Sequence, residues 1–69
     1  MEKETVLKVT YVDYVGGGNQ RTDVLHGSRS DVLLEQFDER YDLAIDPSLT
    51  DAQVVAAAAR NGWNVEFVY

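Results

Sequence analysis

Carboxylates are the groups this chain supplies in quantity, and they are concentrated. From Asp31 to Asp51 stand Asp31, Glu35, Asp38, Glu39, Asp42, Asp46 and Asp51, against one base, Arg40. That window carries a net −6, the whole formal charge of the 69-residue chain. Elsewhere Glu2, Glu4, Asp13, Asp23 and Glu66 are matched by Lys3, Lys8, Arg21, Arg29 and Arg60. Carboxylates at this density can ligate a hard cation, work as an acid and base pair, or dock a basic partner. The spacing speaks against the first: Asp38-Glu39-Arg40-Tyr41-Asp42-Leu43 lacks the alternation and the glycine of a calcium loop, so no metal site is expected. Acid and base catalysis needs two carboxylates in unlike environments flanking a cleft. Acids along one exposed arc are alike, and no catalytic residue is expected.

The other reactive residue types offer little. His26 is the single histidine, so a multi-histidine metal site within one chain is excluded. No cysteine is present, which removes disulfides and thiolate sites. Ser28 and Ser30 precede a periodic segment and read as helix caps, with Ser28-x-x-Asp31 a capping box bearing a shortened acid. Gly16-Gly17-Gly18-Asn19 lacks the later Gly-Lys-Ser/Thr of a phosphate loop and the helix that follows a dinucleotide loop. It reads as a hairpin turn. No cofactor is expected, and the chain is read as a non-enzyme.

The elements that must position the acids follow from periodicity. Ser28 to Asp42 predicts a helix. At about 100° per residue, Asp31, Glu35, Asp38, Glu39 and Asp42 fall within an arc of roughly 100°. Leu33, Leu34, Phe37 and Tyr41 make the inward stripe. The arrangement opposes the helix. Asp31–Glu35, Glu35–Glu39 and Asp38–Asp42 repel at i,i+4, and Glu35–Asp38 and Glu39–Asp42 at i,i+3. Each pair costs about 0.2–0.5 kcal/mol. The later acids also sit at the wrong end of the helix dipole.

Around that helix, Thr5–Val15 and Gln20–Leu25 predict two antiparallel strands joined through Gly16–Asn19. Leu7, Val9 and Tyr11 share one face, and His26-Gly27 leaves the sheet. Leu43-Ala44-Ile45 predicts a very short strand or an extended linker, which Pro47 stops. Thr50-x-x-Gln53 is a capping box for a helix over Asp51–Asn61. Its inward side is Ala52, Val55, Ala58 and Ala59, with Val54 beside them. Asn61-Gly62 stops it, and Trp63–Tyr69 alternates as a strand. The predicted core holds Leu33, Phe37, Val55, Ala58, Trp63, Val65 and Phe67. The fold class is α+β, a single domain over residues 1–69. Two helices pack on one face of a small, mainly antiparallel sheet, in the order β-β-α-(β)-α-β.

Size and charge then bound the partners. A chain this short buries only about 60% of its unfolded surface, which leaves little room for an enzyme cavity. Met1-Glu2-Lys3-Glu4 lacks a secretory signal pattern, and no apolar run approaches the roughly 20 residues of a membrane span. A cytoplasmic protein is expected. The acidic balance disfavours nucleic acid and anionic membrane as direct partners and favours a basic protein. Asp31, Glu35, Asp38, Glu39, Asp42 and Asp46 are the predicted partner-binding residues. From Asp31 to Asp42 the helix rises about 16 Å, with one charge per roughly 3.3 Å, against about 3.4 Å along one DNA strand. In size and acidity the chain is similar to the small inhibitors that phages encode against nucleic-acid machinery, including anti-CRISPR and other DNA-mimic proteins. That likeness belongs to the whole chain, and no residue role is carried over from it. It implies a nucleic-acid-binding protein as partner. The competing expectation is an assembly module. It would bind through a sheet edge and an aromatic C-terminal strand, using Tyr11, Tyr14, Trp63 and Tyr69, with the acids serving solubility alone.

Overall fold

A computed structural model describes residues 4–15 and 17–69. Met1–Lys3 and Gly16, the latter predicted to open the hairpin turn, lie outside the described residues. Strand β1 (Thr5–Asp13) pairs antiparallel with β2 (Asn19–Gly27) along all nine residues, from Thr5 opposite Gly27 to Asp13 opposite Asn19. Strand β3 (Asn64–Phe67) pairs antiparallel with Leu7–Thr10 on the other side of β1, so the order is β2-β1-β3. Helix α1 is π-helical over Asp31–Gln36 and regular α-helix over Phe37–Tyr41. Helix α2 spans Asp51–Arg60. The α+β class and the one-sided helix layer are as predicted.

Alternation in the strands does what period two requires. Thr5, Leu7 and Val9 are buried, with Leu25 beside them on β2 and Val65 on β3. Val32, Leu33 and Phe37 of α1, Ile45, and Val54 and Ala58 of α2 complete the core from the helix side. Of the predicted core, Leu33, Phe37, Ala58 and Val65 are buried, while Val55, Trp63 and Phe67 pack against it half-buried. Thr50 Oγ1 accepts from Gln53 N at 3.2 Å and Gln53 Oε1 from Thr50 N at 3.0 Å, the predicted capping box.

Several boundaries differ, each for a physical reason. Strand β1 stops at Asp13, because Gly18 N donates to Asp13 O at 2.8 Å and turns the chain; Tyr14 and Val15 belong to the turn. Strand β2 runs through His26 and Gly27, because Thr5 and Val6 extend the ladder opposite them. Of the two alternatives for Leu43–Ile45, the extended linker holds and the strand does not. Ile45 N donates to Leu33 O at 3.0 Å, so the segment is tied to the back of α1, away from a sheet whose central strand already has both neighbours. Strand β3 is shorter than Trp63–Tyr69, although Val68 N still reaches Val6 O at 2.9 Å. In α2, Val54 and Ala58 are the buried pair, whereas Ala52 and Ala59 are exposed. No helix among the described residues is long and apolar enough to cross a membrane.

Candidate docking surface

The acidic helix is set on the sheet by its first turn. Ser28 Oγ accepts from Asp31 N at 3.1 Å, so Ser28 is the capping serine and Ser30 makes no side-chain cap. Gly27 sits at φ +147°, and a Cβ built on it would lie 2.9 Å from Asp31 Oδ2 and 3.2 Å from Gln36 Nε2. Only glycine lets α1 approach β2 this closely without strain. Gln36 Nε2 closes the contact, donating to Asp31 Oδ2 at 2.7 Å and to His26 O at 2.9 Å.

The π-winding changes which side chains face inward. Phe37 N–H donates to Val32 O, five residues back, so each turn holds an extra residue. Residues ahead of Phe37 therefore lag behind the 100° rule. Val32 swings in above Phe37 and is buried. Leu34, predicted to face inward, swings out and is 43% exposed. The same wider turn brings Gln36 against Asp31.

The helix ends at Asp42, which adopts the left-handed conformation (φ 56°, ψ 40°) and donates its N–H to Asp38 O at 2.8 Å. Aspartate tolerates this geometry better than most residues, though less well than glycine. Its charge lies against the negative end of the helix dipole.

The structure divides the predicted acids into two groups. Asp31 holds Gln36. Asp46 accepts from Ser48 N at 2.9 Å and Ser48 Oγ at 2.8 Å, and these bonds hold its carboxyl below the usual carboxylate range. Asp51 accepts from Tyr69 Oη at 2.6 Å and Arg29 Nη1 at 2.7 Å, which lowers its pKa likewise. Glu35, Asp38, Glu39 and Asp42, by contrast, are exposed and have no side-chain hydrogen bond or ion pair among the described residues. The acids outside the window are mostly partnered. Glu4 meets His26 at 3.0 Å, Asp13 meets Arg21 at 2.7 Å, and Asp23 accepts from Tyr41 Oη at 2.6 Å. Among the described acids outside the window, only Glu66 joins the helix four in having no side-chain partner. These four occupy about 10 Å of helix axis, roughly one charge per 3 Å.

Of two groups beneath the surface, the first could not be read from the sequence, and the second was expected only in part, through the inward Phe37, Tyr41 and Trp63. Arg29 donates from Nε to Pro47 O at 2.8 Å and from Nη2 to Leu49 O at 2.7 Å, binds Asp51, and lies 4.9 Å from the Phe67 ring centre. It clasps the start of α1, the turn before α2 and the last strand. A cation in the first turn of a helix opposes the dipole, and that mismatch was the available clue to a long-range anchor. The second group is aromatic. Tyr41 lies 4.5 Å from Trp63 and 4.8 Å from Phe37 between ring centres, and Tyr11 lies 5.5 Å from Trp63. Burial, and then the bond to Asp23, pushes the Tyr41 hydroxyl well above the usual tyrosine range. Tyr11 and Trp63 are thus half-buried in this cluster, leaving Tyr14 and Tyr69 as the exposed aromatics of those predicted for assembly.

No three acidic, histidine or cysteine side chains among the described residues gather closely enough to hold a metal ion. A shallow hollow of about 300 Å³ is lined by Ala59, Gly62, Trp63 and Asn64 and contains no carboxylate. Comparison with protein-family models, with curated proteins and with solved structures returned no match.

Proposed function

We propose that the chain is a non-enzymatic binding protein whose acidic α1 face docks a basic, nucleic-acid-binding protein in the cytoplasm. In this reading it acts as a DNA mimic, an inhibitor of the phage-encoded anti-CRISPR type. The observation that carries this is the division of the acids. Six of the described carboxylates have local partners, while Glu35, Asp38, Glu39 and Asp42 are left in one unneutralised row. A row that repels itself and strains the helix end is what charge placed for a partner looks like. Its mean spacing is close to that of phosphates along one DNA strand.

The test is capture from cell lysate on immobilised protein, eluted by a salt gradient, with Glu35→Lys/Glu39→Lys as the comparison. The captured protein should be basic, should elute as salt rises, and should lose DNA affinity when wild type is added. The double variant should stay folded and lose the partner, because a steered association becomes locally repulsive. Equal capture by the variant reduces the acids to a solvated face. The competing assembly reading, through a sheet edge and the aromatic C-terminal strand, keeps Tyr14 and Tyr69 as its exposed aromatics, at 84% and 51%. Retention of the partner through high salt favours it.

A further inference from the structure

We propose that β2 is a dimerisation edge, pairing antiparallel with β2 of a second copy about a twofold axis at Thr22. The inference stands apart from the docking reading above. Backbone direction follows from the ladder. Val6 O accepts from Val68 N on the β3 side, so alternate residues of β1 turn their backbone toward β3. Leu7, Val9 and Tyr11 therefore turn toward β2, opposite Leu25, Asp23 and Arg21. Gln20, Thr22, Val24 and His26 direct their N–H and C=O groups outward. The groups of Gln20, Thr22 and Val24 have no partner among the described residues, and these three residues are centred on Thr22. Strand β2 contains no proline and no lysine, and its register with β1 is continuous, without a bulge.

The charges on the strand select the occupant. An antiparallel copy on this edge must match outward residues with outward residues. Centring the twofold on Arg21 or Asp23 sets like charges directly opposite, which is destabilising. Centring it on Gln20 or Val24 leaves both charges unmatched. Centring it on Thr22 sets Arg21 opposite the second copy's Asp23, and Asp23 opposite its Arg21. Both pairs fall at non-hydrogen-bonded positions, where side chains approach most closely. Among the described residues Arg21 uses only Nε, on Asp13, so its Nη groups remain to donate. Asp23 already takes Tyr41 on Oδ2, and a carboxylate accepts several donors. The next outward pair would join His26 to the second copy's Gly18. There His26 O is taken by Gln36 and Gly18 N by Asp13 O, so the open edge ends symmetrically. Each α1 lies over the Asp23–Gly27 half of its own β2. In this register that half faces the hairpin end of the other copy, so the two acidic helices are displaced from each other along the strands.

The interface is small, short of the roughly 1,200 Å² of stable complexes, so self-association is read by sedimentation equilibrium at up to about 1 mM protein. Wild type should dimerise. Arg21→Asp and Asp23→Arg each set like charges opposite in a self-pair, and each should weaken dimerisation about tenfold or more. Mixed in equal amounts, the two variants restore both opposite pairs and should form a mixed dimer about tenfold tighter than either self-pair. Circular dichroism checks that both fold. Thr22→Pro deletes the central outward N–H and leaves the ladder to β1. It should weaken dimerisation about tenfold, whether or not the charge variants fold. In a mixture of isotope-labelled and unlabelled wild type, Hα of Arg21 should show an intermolecular nuclear Overhauser contact to Hα of Asp23. A wild type that stays monomeric at about 1 mM overturns the proposal. So does a dimer whose intermolecular contacts lie elsewhere, a Thr22→Pro variant that dimerises like wild type, or folded charge variants whose mixture stays monomeric.

Discussion

Glu39→Lys isolates the tension between charge and helix. Glu39 is exposed, four residues after Glu35 and three before Asp42. The substitution removes two repulsions and creates two attractions, one of them in the favoured order with the acid N-terminal to the lysine. Four changes of about 0.2–0.5 kcal/mol each give roughly 1–2 kcal/mol. Full exposure argues for the lower end, about 1 kcal/mol. For a domain of this length that is a rise in Tm of about 4–8 °C. Glu39→Gln removes the repulsions alone and should give about half. Urea titration followed by Trp63 fluorescence reads this directly, because Trp63 packs on Tyr11, Tyr41 and Phe37. The gain should be largest at low salt and should nearly vanish at 1 M, where the screening length is about 3 Å. Unchanged midpoints at low salt, or a gain that persists at 1 M, would show that the row does not burden the helix. The case for charge kept against stability would then collapse.

Three further outcomes test the fold. Phe37→Ala, at a fully buried ring, should cost about 3–5 kcal/mol, comparable to the whole stability of a small core; a folded variant with a nearly unchanged urea midpoint contradicts this packing. Gly27→Ala places a Cβ 2.9 Å from Asp31 Oδ2 at a φ of +147°, and should destabilise by about 1–3 kcal/mol, measured the same way. Asp51 is held below its ordinary pKa by Tyr69 and Arg29. Its contribution is present above the unfolded carboxylate pKa of about 3.9 and is lost as pH falls through the lower folded value. In acid titrations of stability, Asp51→Asn should flatten that limb and leave a lower plateau at neutral pH.

Strands, caps and the hairpin were legible because each rests on local chemistry. Val, Tyr and Thr alternate in β1, Thr50 and Gln53 satisfy each other across one turn, and glycines supply the turn after Asp13. What was illegible depends on the third dimension. Val32, Leu33 and Phe37 are all buried; regular winding would spread them over about 140° of the helix, and the wider turn draws Val32 toward Phe37. The Gln36 bonds that accompany the wide turn need β2 already beside the helix. Arg29 gathers partners up to 40 residues away, and no local pattern announces such an anchor. Leu43 and Ile45 alternate like a strand, yet Ile45 plugs the core from a loop. The acidic row was visible by composition, but its division into bonded and unbonded carboxylates was not.

The wide turn of α1 also makes this helix tolerant where helices are ordinarily intolerant. Deleting a residue from a helix interior rotates everything beyond it by about 100° and strips the core from one side. Here a residue is in surplus. Removing the exposed Leu34 would leave Val32 four positions before Phe37 and Leu33 three before it, the two spacings that keep both on the Phe37 side of a regular helix. Scanning single-residue deletions along the chain should therefore find the interior of α1 more permissive than α2. Lineages of this fold would be expected to differ in length at that point without differing in shape.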